Sequence, residues 1–357
     1  MGSGPYGQER IGAVRVKFGN FHGTTLSDLL LRYFMSIKEA SMGTADFQML
    51  FKALAEGQLS ADELACLQNF LAAAAQPGHC FALIEEAAGK RTCPHCASSH
   101  CHRCGQANGL QRYRCLGCGR SFNALTGTPL ARLRLRERWL PYLQCLIGSD
   151  TVRAAARRVS VAKSTSVRWR HRFLAALRRA PLPKLAGIVE ADETYHLGSQ
   201  KGSRKLDRPA RKRGGKASWR GINREFDCIL VARDRTRNTC AFVTGHGPVT
   251  AAQLITHLLP VLAHDALLVT DAARAYQAFA KRTGISHESL NVRAGMRACG
   301  ALHIQGVNGW HSRFKTWLRH FNGVASRYLH HYAGWQQVLD AAVLKTPGQW
   351  LSVAVAG

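Results

Sequence analysis

The spacing of apolar residues changes character along the chain. Between about 42 and 90 they recur every three to four positions (Phe47, Leu50, Leu54, Leu64, Leu67, Phe70, Leu71), which predicts amphipathic helices. Gly57 and Ser60 divide that run into a helical hairpin, and Ser60 with Glu63 has capping-box spacing. Residues 91–128 are rich in cysteine and turn formers. Helical patterning returns over 133–180, dense in arginine, until Pro181 and Pro183 mark a linker. Beyond it the pattern becomes short β-rich runs at 187–195, 228–233 and 239–245, the last two joined by a hairpin loop at 234–238. Thr250 with Gln253 opens a helix, a strand over 266–270 ends at Asp271, and 272–282 reads as a helix. A short strand near 287–291 precedes a long helix over about 306–321. The order β, β, β, α, β, α, short β, α predicts a mixed α/β layer with acids at strand ends.

Composition narrows the partners. The 357 residues suffice for two or three domains, and 46% are hydrophobic, enough to fill real cores. Lys and Arg number 49 against 22 Asp and Glu, a formal charge of +27. A surface this basic attracts a polyanion, and nucleic acid is the commonest one. No apolar run approaches the ~18–20 residues of a membrane span, so no membrane partner is expected. The opening Met1-Gly2-Ser3-Gly4-Pro5 has no apolar core behind it, which argues against a secretory signal and for a cytoplasmic protein. The 12 cysteines, several in Cys-x-x-Cys pairs, then suggest metal binding rather than disulfides.

Cys93 and Cys96 form one such pair, Cys115 and Cys118 another, with residues 97–114 between them. Two pairs on tight turns at this separation can set four thiolates tetrahedrally around structural Zn²⁺, the pattern of a zinc ribbon. So short a region has little core of its own, and the metal would contribute most of its folding energy. Cys101 and Cys104 lie between the pairs; they either replace a ligand or stand by, and the regular outer spacing favours standing by. Further on, 151–159 and 163–174 read as two helices about a Ser160-Val161-Ala162 turn, a helix-turn-helix. Val152, Ala155, Ala156 and Val159 form its first packing face, with Val161 and Val167 in the second. Lys163, Ser164, Thr165 and Arg168 then project for base contacts, while Arg153, Arg157, Arg158, Arg170 and Arg172 suit phosphates.

Two aspartates end apolar strands: Asp192 within 189–195 and Asp271 after 267–270. Carboxylates so placed can share two Mg²⁺ (or Mn²⁺) ions about 3.5–4 Å apart, the arrangement for in-line displacement at phosphorus. A third ligand would come from the following helix, where Asn308, His311, Ser312 and Lys315 share one face while Trp310, Phe314 and Trp317 pack inward. Glu190, on the Asp192 face of its strand, and His311 are further ligand candidates. The basic segment 201–220, which contains Arg211, Lys212 and Arg213, reads as a mobile loop that closes on DNA phosphates.

The whole layout resembles the ISXO-type group of DDE transposases from bacterial insertion sequences. The residues that carry the resemblance are CPHC (93–96) with CLGC (115–118), RSFNALTGTPLARLRLRERW (120–139), VEADETY (189–195), VTDAARAY (269–276) and HIQGVNGWHSRFKTWLRHFNGVASRYLHHY (303–332). They span about 42–345; residues 1–41 lie outside, and Met42 would be a natural start. The resemblance implies a multidomain α/β protein: a helical hairpin (42–90), a zinc ribbon (91–128) and a helix-turn-helix (133–180) ahead of a ribonuclease H-like catalytic domain (185–345), a mixed sheet with flanking helices. It implies double-stranded DNA partners (terminal inverted repeats and target DNA), a homo-oligomer in the synaptic complex, and nucleoid association in a bacterial cell. It makes Asp192 and Asp271 the first two catalytic acids, puts Asn308 where many relatives carry Glu, and matches Lys315 to a conserved basic position. The Asn is the main departure, although a subgroup of these transposases uses it. The alternative is a non-catalytic, sequence-specific DNA-binding protein. A nuclease acting on RNA or hybrids is disfavoured by the helix-turn-helix.

Overall fold

A computed structural model of the chain describes residues 77–89, 92–212, 214–290 and 298–356, together with Lys52, Glu56–Gln58 and Leu64. The extension 1–41, Arg213 and most of the helical hairpin expected over 42–90 lie outside the described residues. The chain divides into two units, Met1–Leu71 and Ala72–Gly357.

In the second unit, α1 (Pro77–Ala87) precedes a small antiparallel sheet of β1 (Cys101–Ala107), β2 (Leu110–Cys115) and β3 (Ser121–Phe122). Helices α2 (Trp139–Ile147), α3 (Val152–Arg158) and α4 (Lys163–Leu177) come next. Thr151 caps α3 by accepting from the Ala154 amide at 3.3 Å. The phase of α4 differs from the expected one. Its buried stripe is Ser166, Trp169, Arg170, Phe173, Leu174 and Leu177, so Val167 is exposed rather than packed, and Arg170 is a core residue rather than a phosphate contact.

The main sheet contains β4 (Ile188–Leu197), β5 (Phe226–Asp234), β6 (Thr239–His246), β7 (Leu267–Asp271) and β8 (Ser286–Leu290), in the order β6-β5-β4-β7-β8. β4, β5 and β6 pair antiparallel, whereas β7 and β8 run parallel to β4. This order and these directions are those of a ribonuclease H-like fold. The β5–β6 hairpin closes on Asp234, whose Oδ1 accepts from the Asn238 amide at 2.9 Å. Helix α5 (Ala251–His257) starts with the expected capping box of Thr250 and Gln253, and α6 (Arg274–Thr283) comes after β7. A two-stranded ribbon, β9 (Ala298–Cys299) and β10 (Leu302–His303), leads into α7 (Gln305–Arg319). Two further helices, α8 (Ser326–Ala341) and α9 (Pro347–Ala356), complete the chain.

β5 is buried at almost every position, as a central strand covered on both faces must be. Alternation sends Cys228, Leu230 and Ala232 to the α5–α6 side and Ile229 and Val231 to the α7–α8 side. The second of these cores does not stop at the linker. It runs on through Leu329, Trp335 and Trp350 to Trp139, Tyr142, Trp169 and Phe173 of the helix-turn-helix region. Leu185, just past Pro183, is fully buried and bridges to Leu262. The prolines therefore end a helix without separating two bodies.

Candidate active site and metal centre

Asp192 and Asp271 are brought together by strand register. Glu190 lies opposite Val269 across the parallel β4–β7 pair, and two residues further on the same offset sets Asp192 opposite Asp271. Neighbouring strands are about 4.8 Å apart, and side chains two residues apart share a face, so both carboxylates project on the α7 side. Burial, with the Asp271 carboxylate nearby, pushes Asp192 up to about 6, against the opposing pull of the Glu193 amide and the Lys315 ammonium. Each aspartate also accepts a local amide: Glu193 N to Asp192 Oδ1 at 2.9 Å, and Ala273 N to Asp271 Oδ1 at 3.1 Å.

Helix α7 faces this pair. His311 is buried, with Nδ1 3.7 Å from Asp192 Oδ2 and no partner for Nε2 among the described residues. Burial and then the Lys315 charge hold its pKa down at about 4, so the ring is neutral. Lys315 and Ser312 are exposed, Trp310 and Phe314 are fully packed, and Trp317 is half-buried. Asn308 is exposed one turn before His311, and among the described residues no hydrogen bond joins its carboxamide to either aspartate.

Glu190 does not share this site as a free ligand. It is buried, with one oxygen accepting from the Val307 amide and the other paired with Arg235. Sequence reasoning missed Glu193, which points to the opposite face of β4. There its Oε1 accepts from the buried Tyr276 hydroxyl and its Oε2 from Tyr195 at 3.4 Å. Burial raises it to about 7. The only signal in the sequence was its adjacency to Asp192; the tyrosine contact is long-range.

The four cysteines of the outer pairs converge, their sulfurs all within 4.8 Å of one another. Cys93 and Cys118 approach to 3.6 Å, as do Cys96 and Cys115. A tetrahedron with Zn–S of about 2.3 Å needs S···S near 3.8 Å, so the donor set fits zinc. None of the four is in a disulfide, and Cys101 and Cys104 stand outside the cluster.

On the helix-turn-helix, Lys163, Ser164 and Arg168 are exposed and Thr165 half-buried at the start of α4, with Arg153, Arg157, Arg158 and Arg172 exposed around them. Arg153, Arg157 and Lys163 line a cavity of 690 Å³ with Ser160 and Val161. The basic loop after β4 is anchored. Lys201 Nζ donates to Gly323 O at 3.1 Å, and Arg211 donates to Gly198 O at 2.6 Å and pairs with Glu225. Lys212 is exposed. Arg211, expected on DNA, is thus held by its own chain.

Residues 184–337 match the family described as the ISXO2-like transposase domain. A curated relative, "Uncharacterized protein in transposable element ISH50" of Halobacterium salinarum, is 31% identical over 266 residues, covering 72% of this chain and 87% of the relative. Among solved structures, a simian T-cell lymphotropic virus intasome in complex with PP2A regulatory subunit B56 gamma aligns at TM-score 0.27 and 13% identity, over 59% of this chain and 74% of that one. A pre-cleavage Mos1 transpososome aligns at 0.23 and 15%, over 59% and 76%. Both scores are low, and the fold assignment rests on strand order and direction instead. Among the described residues no helix is long and apolar enough to cross a membrane.

Proposed function

The chain belongs to the ISXO2-like transposase family, and from that premise we propose that it cuts and joins DNA for an insertion sequence. It binds the terminal inverted repeats through its helix-turn-helix and hydrolyses a strand to free a 3′-hydroxyl. It then joins that hydroxyl to a target phosphodiester by a second in-line attack. The observation that carries this reading is the opposition of Asp192 and Asp271 on adjacent parallel strands, with His311 and Lys315 facing them from α7.

The donor chemistry suits Mg²⁺ or Mn²⁺. Two carboxylates share one face of the sheet where β7 ends, and burial and mutual repulsion leave Asp192 short of countercharge. Asp192 and Asp271, with Asn308 as a neutral oxygen donor, would hold such a cation, which would supply Lewis acidity at the scissile phosphate. Lys315 offsets charge on a phosphate oxygen. His311, neutral and with an unpaired Nε2, orients a polar group beside Asp192. The Cys93, Cys96, Cys115 and Cys118 thiolates hold structural zinc. Lys163, Ser164, Thr165 and Arg168 read bases, while the surrounding arginines and Lys212 meet phosphates. Two ends must be held at once, so the working form is a dimer or larger.

Asp192→Ala and Asp271→Ala should each abolish Mg²⁺- or Mn²⁺-dependent cleavage of duplexes that carry the element's ends, without loss of binding in gel shifts. Cleavage retained by both variants removes the mechanism. Asn308, a carboxamide at the position of a third acid, favours a second reading, a non-catalytic end-binding protein. Wild type that binds these ends and never cuts them would establish that reading instead.

A further inference from the structure

Helix α7 carries Asn308, His311 and Lys315, and the local side-chain bond at its N-terminus is a long one, Gln305 N to His303 Nδ1 at 3.4 Å. Its N-cap is Ile304, which has no side-chain acceptor, so the amide of Val307 depends on a partner from elsewhere. Glu190 provides that partner from β4, two residues before Asp192: its Oε2 accepts from Val307 N at 2.8 Å. An acid at a helix start is also favoured by the helix dipole. The other oxygen is paired with Arg235 and lies 3.3 Å from His303 Nδ1. Arg235 extends the clamp by donating to Ala301 O at 2.7 Å, gripping the ribbon that feeds α7. Gly306 completes the fit, since a Cβ there would stand 2.9 Å from both carboxylate oxygens.

We propose that Glu190 is a positioning residue, not a metal ligand. It docks the first turn of α7 against β4 and so fixes the distance between the helix-borne groups and Asp192 and Asp271. Its catalytic consequence rests on the transposase reading above; the docking itself does not.

The experiment therefore has two arms on the full chain. Amide exchange at Val307, followed without DNA or added Mg²⁺, should be slow in wild type and faster by about 10²-fold or more in Glu190→Ala, as befits a lost internal hydrogen bond. Glu190→Gln, which keeps an acceptor oxygen, should recover most of the protection. Gly306→Ala, which leaves Glu190 in place but crowds it, should lose protection as Glu190→Ala does, and serves if that variant does not fold. In the second arm, Glu190→Ala should slow cleavage of saturating end-bearing DNA by about 10–10²-fold, the effect of an ångström-scale misplacement. The half-saturating DNA concentration should stay as in wild type, and in Glu190→Gln, which keeps α7 docked, so should that of Mn²⁺. Unchanged exchange at Val307 in both Glu190→Ala and Gly306→Ala overturns the docking. A raised half-saturating Mn²⁺ concentration in Glu190→Gln overturns it in favour of ligation. Wild type that never cuts DNA defeats the transposase reading while the exchange arm still decides the role of Glu190.

Discussion

Arg170 and Arg172 sit two positions apart on α4 and meet opposite environments. Arg172 is exposed, whereas Arg170 is fully buried, its guanidinium 5.1 Å from the Trp335 ring and 5.6 Å from that of Phe321. It donates to the Asp150 carbonyl and approaches the Tyr332 hydroxyl at 3.5 Å, with no carboxylate among its partners in the described residues. Truncation of Arg170 to Ala should therefore cost about 2–4 kcal/mol in urea unfolding, through the cavity and the orphaned carbonyl. Arg172→Ala should leave stability alone. If Arg172 meets a phosphate, its loss should instead flatten the dependence of log affinity on log salt by about 0.9. The reverse pattern would show that the helix phase is wrong. An arginine-rich stretch conceals such a distinction, because composition records charge and not direction. The phase was legible in Trp169, Phe173, Leu174 and Leu177, and taking Val167 as inward set it wrongly. The aspartates were easier to find, since each follows an apolar run; Asp271 does end β7, but Asp192, expected at a strand end, lies in the middle of β4, which runs on paired with β5 to Leu197. Glu193 was not legible, because what distinguishes it is a tyrosine from a distant helix.

At the scale of elements, the cysteine module shows how far spacing alone carries. Its core is only Cys93, Tyr113, Cys115 and Phe122, with the two rings stacked at 5.6 Å. So few apolar groups cannot offset the chain entropy of three short strands, and a bound metal must supply the difference, about 10–16 kcal/mol for comparable sites. Chelation, or Cys115→Ser, should release one equivalent of zinc and abolish the near-UV signal of Tyr113, while the far-UV spectrum of the main sheet persists. A module that keeps its tertiary signal without metal would contradict this. In the second half α8 was missed, β5 was legible as an unbroken apolar run buried on both faces, and the other strands of the main sheet with α5 to α7 were legible from periodicity. α9 was not: its apolar residues cover most of its circumference, and its partners, α1, α2 and α4, lie far back in the chain. The contacts of Glu190 were not legible for a related reason, since strand alternation assigns it a face but not the helix start and arginine waiting there.

For the molecule as a whole, the misleading signal was the pair of prolines. A change of composition at 181–183 marks the end of α4, but the core beyond it is shared. Trp335 Nε1 donates to Leu146 O at 3.1 Å and Trp317 Nε1 to Ser149 Oγ at 2.8 Å, tying α8 and α7 to the helix-turn-helix side. The helix-turn-helix and the aspartate pair are therefore held at a fixed relation, and residues 72–357 should melt in one cooperative transition. The seam also carries a pH dependence. His171 of α4 and His331 of α8 meet Nδ1 to Nδ1 at 3.1 Å, with His330, Arg170, Arg178 and Arg327 as the charged or titratable neighbours and Tyr328 stacked on His171. Burial first, then these positive neighbours, hold the two rings at about 4 and about 3. Both values lie below the ordinary histidine range near 6.5, so the stabilisation is complete above that range and is lost as pH falls toward 4. The Tm should drop steadily between pH 6.5 and 4, and His171→Phe combined with His331→Gln should flatten that part of the profile. Two separate transitions at neutral pH, or an acid profile the double variant leaves unchanged, would mean that the seam does not join the halves as a common core requires.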